Sequence, residues 1–183
     1  DGVVNVVTGN GAEAGARLAE HPDVNKIVFT GSTATGQAIA RAGVGNLKRI
    51  TLELGGKSPM IICKDADLAK AIPIAAMAVY AHSGQICIAG SRLFVAREIQ
   101  EEFLHGLSEF AQSLKLGHGL DPDTDLGPLI NAHQTSKVEG FIASGQEEGA
   151  ALITGGDRPS GAAYEGGNFL RPAIFGGVED GMK

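Results

Sequence analysis

The chain has 183 residues, 43% of them hydrophobic, and 27 glycines, enough apolar material to bury a core and the many tight turns of an α/β protein. Fifteen basic against 21 acidic residues give a net charge of −6 without a run of like charge, which speaks against nucleic acid or a membrane surface as a partner. The apolar run near Ala71 to Ala81 is too short for a bilayer, DGVVNVV lacks a signal peptide's basic region, and two cysteines do not make a secreted disulfide scaffold, so reduced thiols and a cytoplasmic location are expected. The chain starts at Asp1 rather than Met and closes on GGVEDGMK without a final helix or strand, which reads as an excised segment.

Taken in order, Val3 to Val7 is a β-branched run predicted as a strand, followed by a helix from about Ala12 that Pro22 ends. Lys26 to Phe29 is a second strand, GSTATGQAIARAG a second helix that breaks near Gly43, and Arg49 to Leu54 a third strand. In that strand Ile50, Leu52 and Leu54 share one face and Thr51 and Glu53 the other. Strands separated by short helices predict a parallel sheet. Beyond Gly55 and Gly56, SPMIIC reads as a strand and Asp65 or Asp67 as a helix cap. LAKAIPIAAMAVYA is apolar on nearly every face and is expected to be buried. Arg92 to Ala96 follows as a strand and Ile99 to Leu116 as an amphipathic helix with Ile99, Phe103, Leu107, Phe110 and Leu114 inward. A Pro/Gly/Asp loop then leads to a helix from about Asn131 to Gly149, a strand Ala151 to Thr154, and an exposed glycine-rich stretch Gly155 to Gly167.

The chain is organised around SGQICIAGSR, Ser83 to Arg92, which sets Cys87 in a loop of small residues. Gly84 and Gly90 allow tight turns there, and Ala89 and Ser91 leave room for a ligand. Cys63, inside MIIC, fits the ordinary buried cysteine instead. Glu53 ends an apolar strand, on the edge where open α/β sheets bind ligands, so a nucleophile and a carboxylate form a catalytic hypothesis. GNGAEAG, Gly9 to Gly15, is equally readable as a dinucleotide-binding turn or as a tight packing turn. GSTATG, Gly31 to Gly36, opens a helix whose amides and dipole suit a phosphate. Gln37 and Ala38 stand where a nucleoside triphosphatase needs Lys and Ser or Thr, which rejects that activity and leaves a nucleotide pyrophosphate open. No Cys/His cluster has metal-ligand spacing; His21, His105, His118 and His133 read as surface residues and His82 as structural.

FTGST at Phe29 to Thr33, LELGGKSP at Leu52 to Pro59 and GQICIAGSR at Gly84 to Arg92 together resemble the NAD(P)-dependent aldehyde dehydrogenase superfamily. EHPDV, DLGPLI and FLRPAIFGGV extend the resemblance over the whole chain. It implies a fragment of a three-layer αβα fold with mostly parallel sheets, in which residues 1–54 are the later half of the cofactor domain and 55–183 the first part of the catalytic domain. By the same resemblance Cys87 is the nucleophile and Glu53 the base that activates water against a thioester. Gly31 and Ser32 hold the pyrophosphate of NAD or NADP, Gly11 and Gly15 lie nearer the adenosine, and Phe29, Thr30, Thr35, Leu54, Gly55 and Gln134 complete the cofactor contacts. Tyr80 and His82 fall where the family varies near its substrate tunnel.

Family members are longer, and the resemblance places an oxyanion asparagine and a ribose-binding lysine upstream, and a nicotinamide-ribose glutamate and an oligomerisation arm downstream. The expected parent is a homo-oligomeric hydrolytic aldehyde dehydrogenase acting on a small-molecule aldehyde that the sequence does not name, the segment alone being inactive. The alternatives are a semialdehyde dehydrogenase of the same superfamily and an inactive truncated relative acting as a non-catalytic protein.

Overall fold

A computed structural model describes residues 2–183 and divides the chain into two compact units, Asp1–Gly56 and Lys57–Lys183. In the first, a π-helical turn (Gly11–Gly15), opened by the Glu13 and Ala14 amides donating to the Asn10 carbonyl, runs into α1 (Ala16–Glu20). α1 stops at His21, whose extended φ/ψ of −64° and 128° is what a following proline imposes. β1 (Lys26–Gly31) and β2 (Arg49–Leu54) pair in parallel, with Lys26 opposite Arg49 and Gly31 opposite Leu54, and α2 (Thr33–Ala42) makes the crossover.

β2 alternates as its sequence requires: Ile50, Leu52 and Leu54 are half-buried while Arg49, Thr51 and Glu53 are exposed. α2 lies close on the apolar face because two glycines allow it. A Cβ at Gly36 would come within 2.8 Å of Leu54 Cδ2, and one at Gly43 within 2.6 Å of Ile50 Cδ1. Polar staples do the rest. Lys48 is buried, and its ammonium donates to the carbonyls of Ala19 at 2.6 Å and His21 at 3.0 Å, satisfying groups that the end of α1 leaves without a helical partner. The Asn46 side-chain amide donates to the carbonyls of Pro22 and Val24 at 2.7 and 3.1 Å, tying the entry of β1 to that of β2.

The expected first strand does not form. Val3, Val4, Val6 and Val7 are 75–92% exposed and belong to no regular element, so the first unit's sheet has two strands rather than three. A β-branched run favours extended backbone, but a strand needs an edge to pair with, and none of the described strands takes it.

In the second unit β3 (Pro59–Ile62) and β4 (Arg92–Val95) pair in parallel, Pro59 opposite Arg92 and Ile62 opposite Val95, joined by α3 (Leu68–Tyr80). α4 (Gln100–Ser113) and α5 (Ala132–Glu147) follow, then β5 (Ala151–Thr154) antiparallel to β6 (Ile174–Gly176). One core joins Ile62, Ala75, Ala76, Tyr80, Phe103, Leu107, Ala111, Leu126 and Ile174. α3 and α4 meet over small residues: the Ile72 side chain seats on Gly106, where a Cβ would come within 2.5 Å of Ile72 Cδ1.

Several expectations are corrected here. α3 is buried on one face only: Ala75, Ala76 and Tyr80 are inside, but Ile74 is 62% and Met77 42% exposed, because only one side of the helix meets α4 and the sheet. Asp67 holds the N-cap position of α3 without a side-chain cap bond and pairs with Lys70 at 2.8 Å instead. Cys63 is exposed, since it follows the inward Ile62 and therefore points the other way. α4 ends at Ser113, before the expected Leu116, with Leu114 already extended. β6 had no forecast and is only three residues long.

The stretch after β5 is less free than its glycine content suggests. The Gly156 amide donates to the Arg171 carbonyl at 3.1 Å, the Arg171 amide to the Asp157 carbonyl at 2.9 Å, and the two side chains form an ion pair. Gly155 has φ +66°, and a Cβ there would collide with the Pro172 carbonyl, so glycine is required. No described helix is long and apolar enough to cross a membrane.

Candidate active site

The first unit gathers most of the expected cofactor residues at one sheet edge. Gly31 ends β1, Ser32 caps α2, and the register sets Thr30 beside Glu53 and Gly31 beside Leu54, with Gly55 next in the chain. This is the C-terminal edge of a parallel pair, the edge at which such sheets bind ligands. Ser32 Oγ accepts the Thr35 amide at 3.2 Å and shares a hydrogen bond with Thr35 Oγ1 at 2.9 Å, so the serine orders the first turn of α2. Thr30, Gly31, Ser32 and Thr35 are all exposed, and Phe29 is half-buried. A Cβ at Gly31 would come within 2.5 Å of the tip of the Phe29 ring, so glycine lets that ring lie over the turn. Glu53 is exposed on the face opposite Leu52 and Leu54. Gly11 and Gly15 lie exposed on the π-helical turn before α1.

Cys87 and Gln134 belong to the second unit. Cys87 is an exposed free thiol in the loop between α3 and β4. That loop is shaped by an unusual backbone: His82 (φ 51°, ψ 32°) and Ser83 (φ 55°, ψ 36°) are both left-handed, and Gly84 follows at φ +73°. On the far side the Gly90 amide donates to the Ala78 carbonyl at 2.9 Å, and a Cβ at Gly90 would come within 2.5 Å of Met60 Sδ, so glycine lets the chain pass close over β3.

Ser83 and Gln85 escaped the sequence reading. Ser83 Oγ donates to the Gly127 carbonyl at 2.8 Å, and Gln85 Oε1 accepts the Ile130 amide at 3.0 Å. The loop is thereby tied to the segment that leads into α5, where Asn131 Oδ1 accepts the Gln134 amide at 2.9 Å and Gln134 is half-buried. No local pattern could have pointed to them, since both partners lie more than forty residues away. Of the two residues expected near a substrate tunnel, His82 lines a cleft with Met77, Ala81 and Pro128. Tyr80 is buried in the core, where its hydroxyl donates to the Ala173 carbonyl at 3.2 Å and burial pushes its pKa well up. Among the described residues no group of three or more His, Cys, Asp or Glu could hold a metal ion.

The model of the aldehyde dehydrogenase family matches residues 1–183. The chain is 50% identical to mitochondrial aldehyde dehydrogenase of Sus scrofa over 182 residues, covering 99% of this chain and 34% of that one. It is 48% identical to betaine aldehyde dehydrogenase of Bacillus subtilis (strain 168), covering 100% and 37%. The NAD+ complex of aldehyde dehydrogenase from Bacillus cereus superposes with a TM-score of 0.90 at 43% identity, over 95% of this chain and 35% of that one. The chain belongs to the aldehyde dehydrogenase family. It spans about a third of the length of these relatives.

Proposed function

We propose that the whole protein oxidises an aldehyde to a carboxylic acid with NAD+ or NADP+, with Cys87 as nucleophile and Glu53 as general base. The first unit is read as part of the cofactor domain and the second as part of the catalytic domain. The observation that carries this reading is the exposed Cys87 thiol in a loop tied down on both sides, by Ser83 to the Gly127 carbonyl and by the Gly90 amide to the Ala78 carbonyl.

The cofactor fits the donor chemistry of the first unit. A glycine at the end of β1, hydroxyls at Ser32 and Thr35, and the N-terminus of a ten-residue helix together suit a pyrophosphate. Gly31 and Ser32 would hold it, Phe29, Thr30, Thr35, Leu54 and Gly55 would flank it, and Gly11 and Gly15 would lie toward the adenosine, with Gln134 reaching the ribose. When bound, the dinucleotide supplies the hydride acceptor.

The protein's own steps follow from its side chains. The Cys87 thiolate adds to the aldehyde carbon, forming a carbon–sulfur bond and leaving a negative oxygen. Loss of hydride converts this adduct to a thioester on Cys87. Glu53 then takes a proton from water, the hydroxide adds to the thioester, and the carbon–sulfur bond breaks to release the acid and regenerate the thiolate.

The test is a rapid-mixing measurement of NADH release by the whole protein. Cys87→Ala should abolish release. Glu53→Gln should give a burst of about one equivalent per site followed by a near stop, with the acyl group found on Cys87 by mass spectrometry. Turnover by the Cys87→Ala protein would overturn the reading.

A further inference from the structure

We infer that Ser83 and Gln85 are positioning residues that hold the Cys87 loop in its working conformation, using Gly127–Ile130 as a fixed anchor. The proposal rests on the reading of Cys87 as nucleophile. Its starting observation is strain: two consecutive non-glycine residues, His82 and Ser83, sit in the left-handed region, a conformation unfavourable to L-residues that persists only when its surroundings over-determine it.

What over-determines it is a set of directed bonds. The Gln85 amide closes the turn onto the His82 carbonyl at 3.1 Å. The Gln85 carboxamide uses both ends, its Nε2 donating to the His82 carbonyl at 3.3 Å while its Oε1 accepts from Ile130. Ser83 Oγ crosses to the Gly127 carbonyl. The anchor is itself fixed, because Leu126 and Leu129 are buried, the Gly117 amide donates to the Leu126 carbonyl at 3.0 Å, and the Leu129 amide donates to the Asn168 carbonyl at 2.8 Å. Cys87 lies two residues past one pin, Gln85, and three before the other, Gly90, so its backbone is held from both ends while the thiol stays exposed.

A displaced thiol loses rate steeply, since about 1 Å of misplacement at a reacting atom can cost on the order of a hundredfold. The hydrogen bonds and the strain can be separated by substitution. Ser83→Gly removes the hydroxyl and relieves the left-handed backbone, so a role limited to fold stability predicts little change in Tm and none in rate. The positioning role predicts that kcat of the whole protein falls about tenfold or more, with KM for the dinucleotide within about twofold. Ser83→Asn, which tolerates positive φ and restores a donor, should recover part of the loss. Gln85→Glu keeps the acceptor for Ile130 but loses the donor to His82 and should fall between wild type and Gln85→Ala. Unchanged kcat in Ser83→Gly and Gln85→Ala would overturn the proposal, as would equal loss in Ser83→Gly and Ser83→Asn. Activity in Cys87→Ala would remove the nucleophile reading instead, so the two failures are distinguishable. If Gln85→Ala does not fold, Ser83→Gly and Gln85→Glu decide the question alone.

Discussion

The two units reach order by different means. The second is built on an apolar core in which Phe103 is fully buried among Ile62, Ala76, Leu107 and Ile174. In the first, the buried residues among those described are the small Ala19, Gly36 and Gly43 together with Lys48, and close glycine packing and polar staples take the place of large apolar groups. The difference accords with the roles proposed for the two units. The turn proposed to hold a pyrophosphate, at Gly31 and Ser32, keeps its hydroxyls exposed while glycines and carbonyl-directed bonds hold the backbone from behind. The proposed nucleophile, Cys87, stands in the unit with the packed core.

The comparison predicts unequal costs. Phe103→Ala should destabilise the second unit by about 3–5 kcal/mol, because it opens a cavity at a large, fully buried apolar side chain. Urea unfolding would measure this, with hydrogen exchange in α3 and α4 locating the loss. Lys48→Met should cost less, about 1–3 kcal/mol, with exchange rising in α1, because it strips two carbonyls of a buried donor while keeping most of the apolar stem. If Lys48→Met proved the costlier change, the contrast between the units would fail.

Smaller effects sharpen it. Tyr80→Phe should cost about 1 kcal/mol by deleting the bond to the Ala173 carbonyl. The same residue makes an alkaline limit. Its folded pKa is raised by burial above the ordinary 10.0, so its contribution is complete below that value and is lost as pH rises beyond it, where the unfolded chain alone ionises. An unfolding titration above neutral pH should show this loss in wild type and not in Tyr80→Phe. The smallest effect is at Glu139, whose carboxylate accepts from Arg158 Nε at 2.6 Å and is thereby held below its ordinary pKa. Its slight contribution is present above the ordinary value of 4.5 and disappears as pH falls through the lowered one, and the pair's exposure keeps it small and salt-sensitive.

Much of the architecture was legible because its signals are local. β2 runs from Arg49 to Leu54 as its alternation predicts, α2 breaks at Gly43, and β5 occupies Ala151–Thr154. Val3 to Val7 failed for the opposite reason: β propensity describes a residue, whereas a strand is a relation between two segments. Cys63 failed because an apolar run says nothing about which side of a strand its last residue takes. The residues proposed for the site divide similarly. Cys87, Glu53, Gly31 and Ser32 were nominated from short motifs, since the backbone freedom and chemistry those motifs need are written in adjacent residues.

Ser83 and Gln85 were not found, because their partners Gly127 and Ile130 stand more than forty residues away and no local pattern announces a hydrogen bond across that distance. The sequence by itself determined the strand–helix alternation and the glycine turns, which depend on short-range sterics, and the family through the resemblance of its motifs. Only the tertiary structure decided which carbonyls Lys48 and Ser83 satisfy, that Tyr80 is a core residue, and that the Cys87 loop is pinned at both ends. Those are questions of which distant groups meet, and the packing of the folded chain alone answers them.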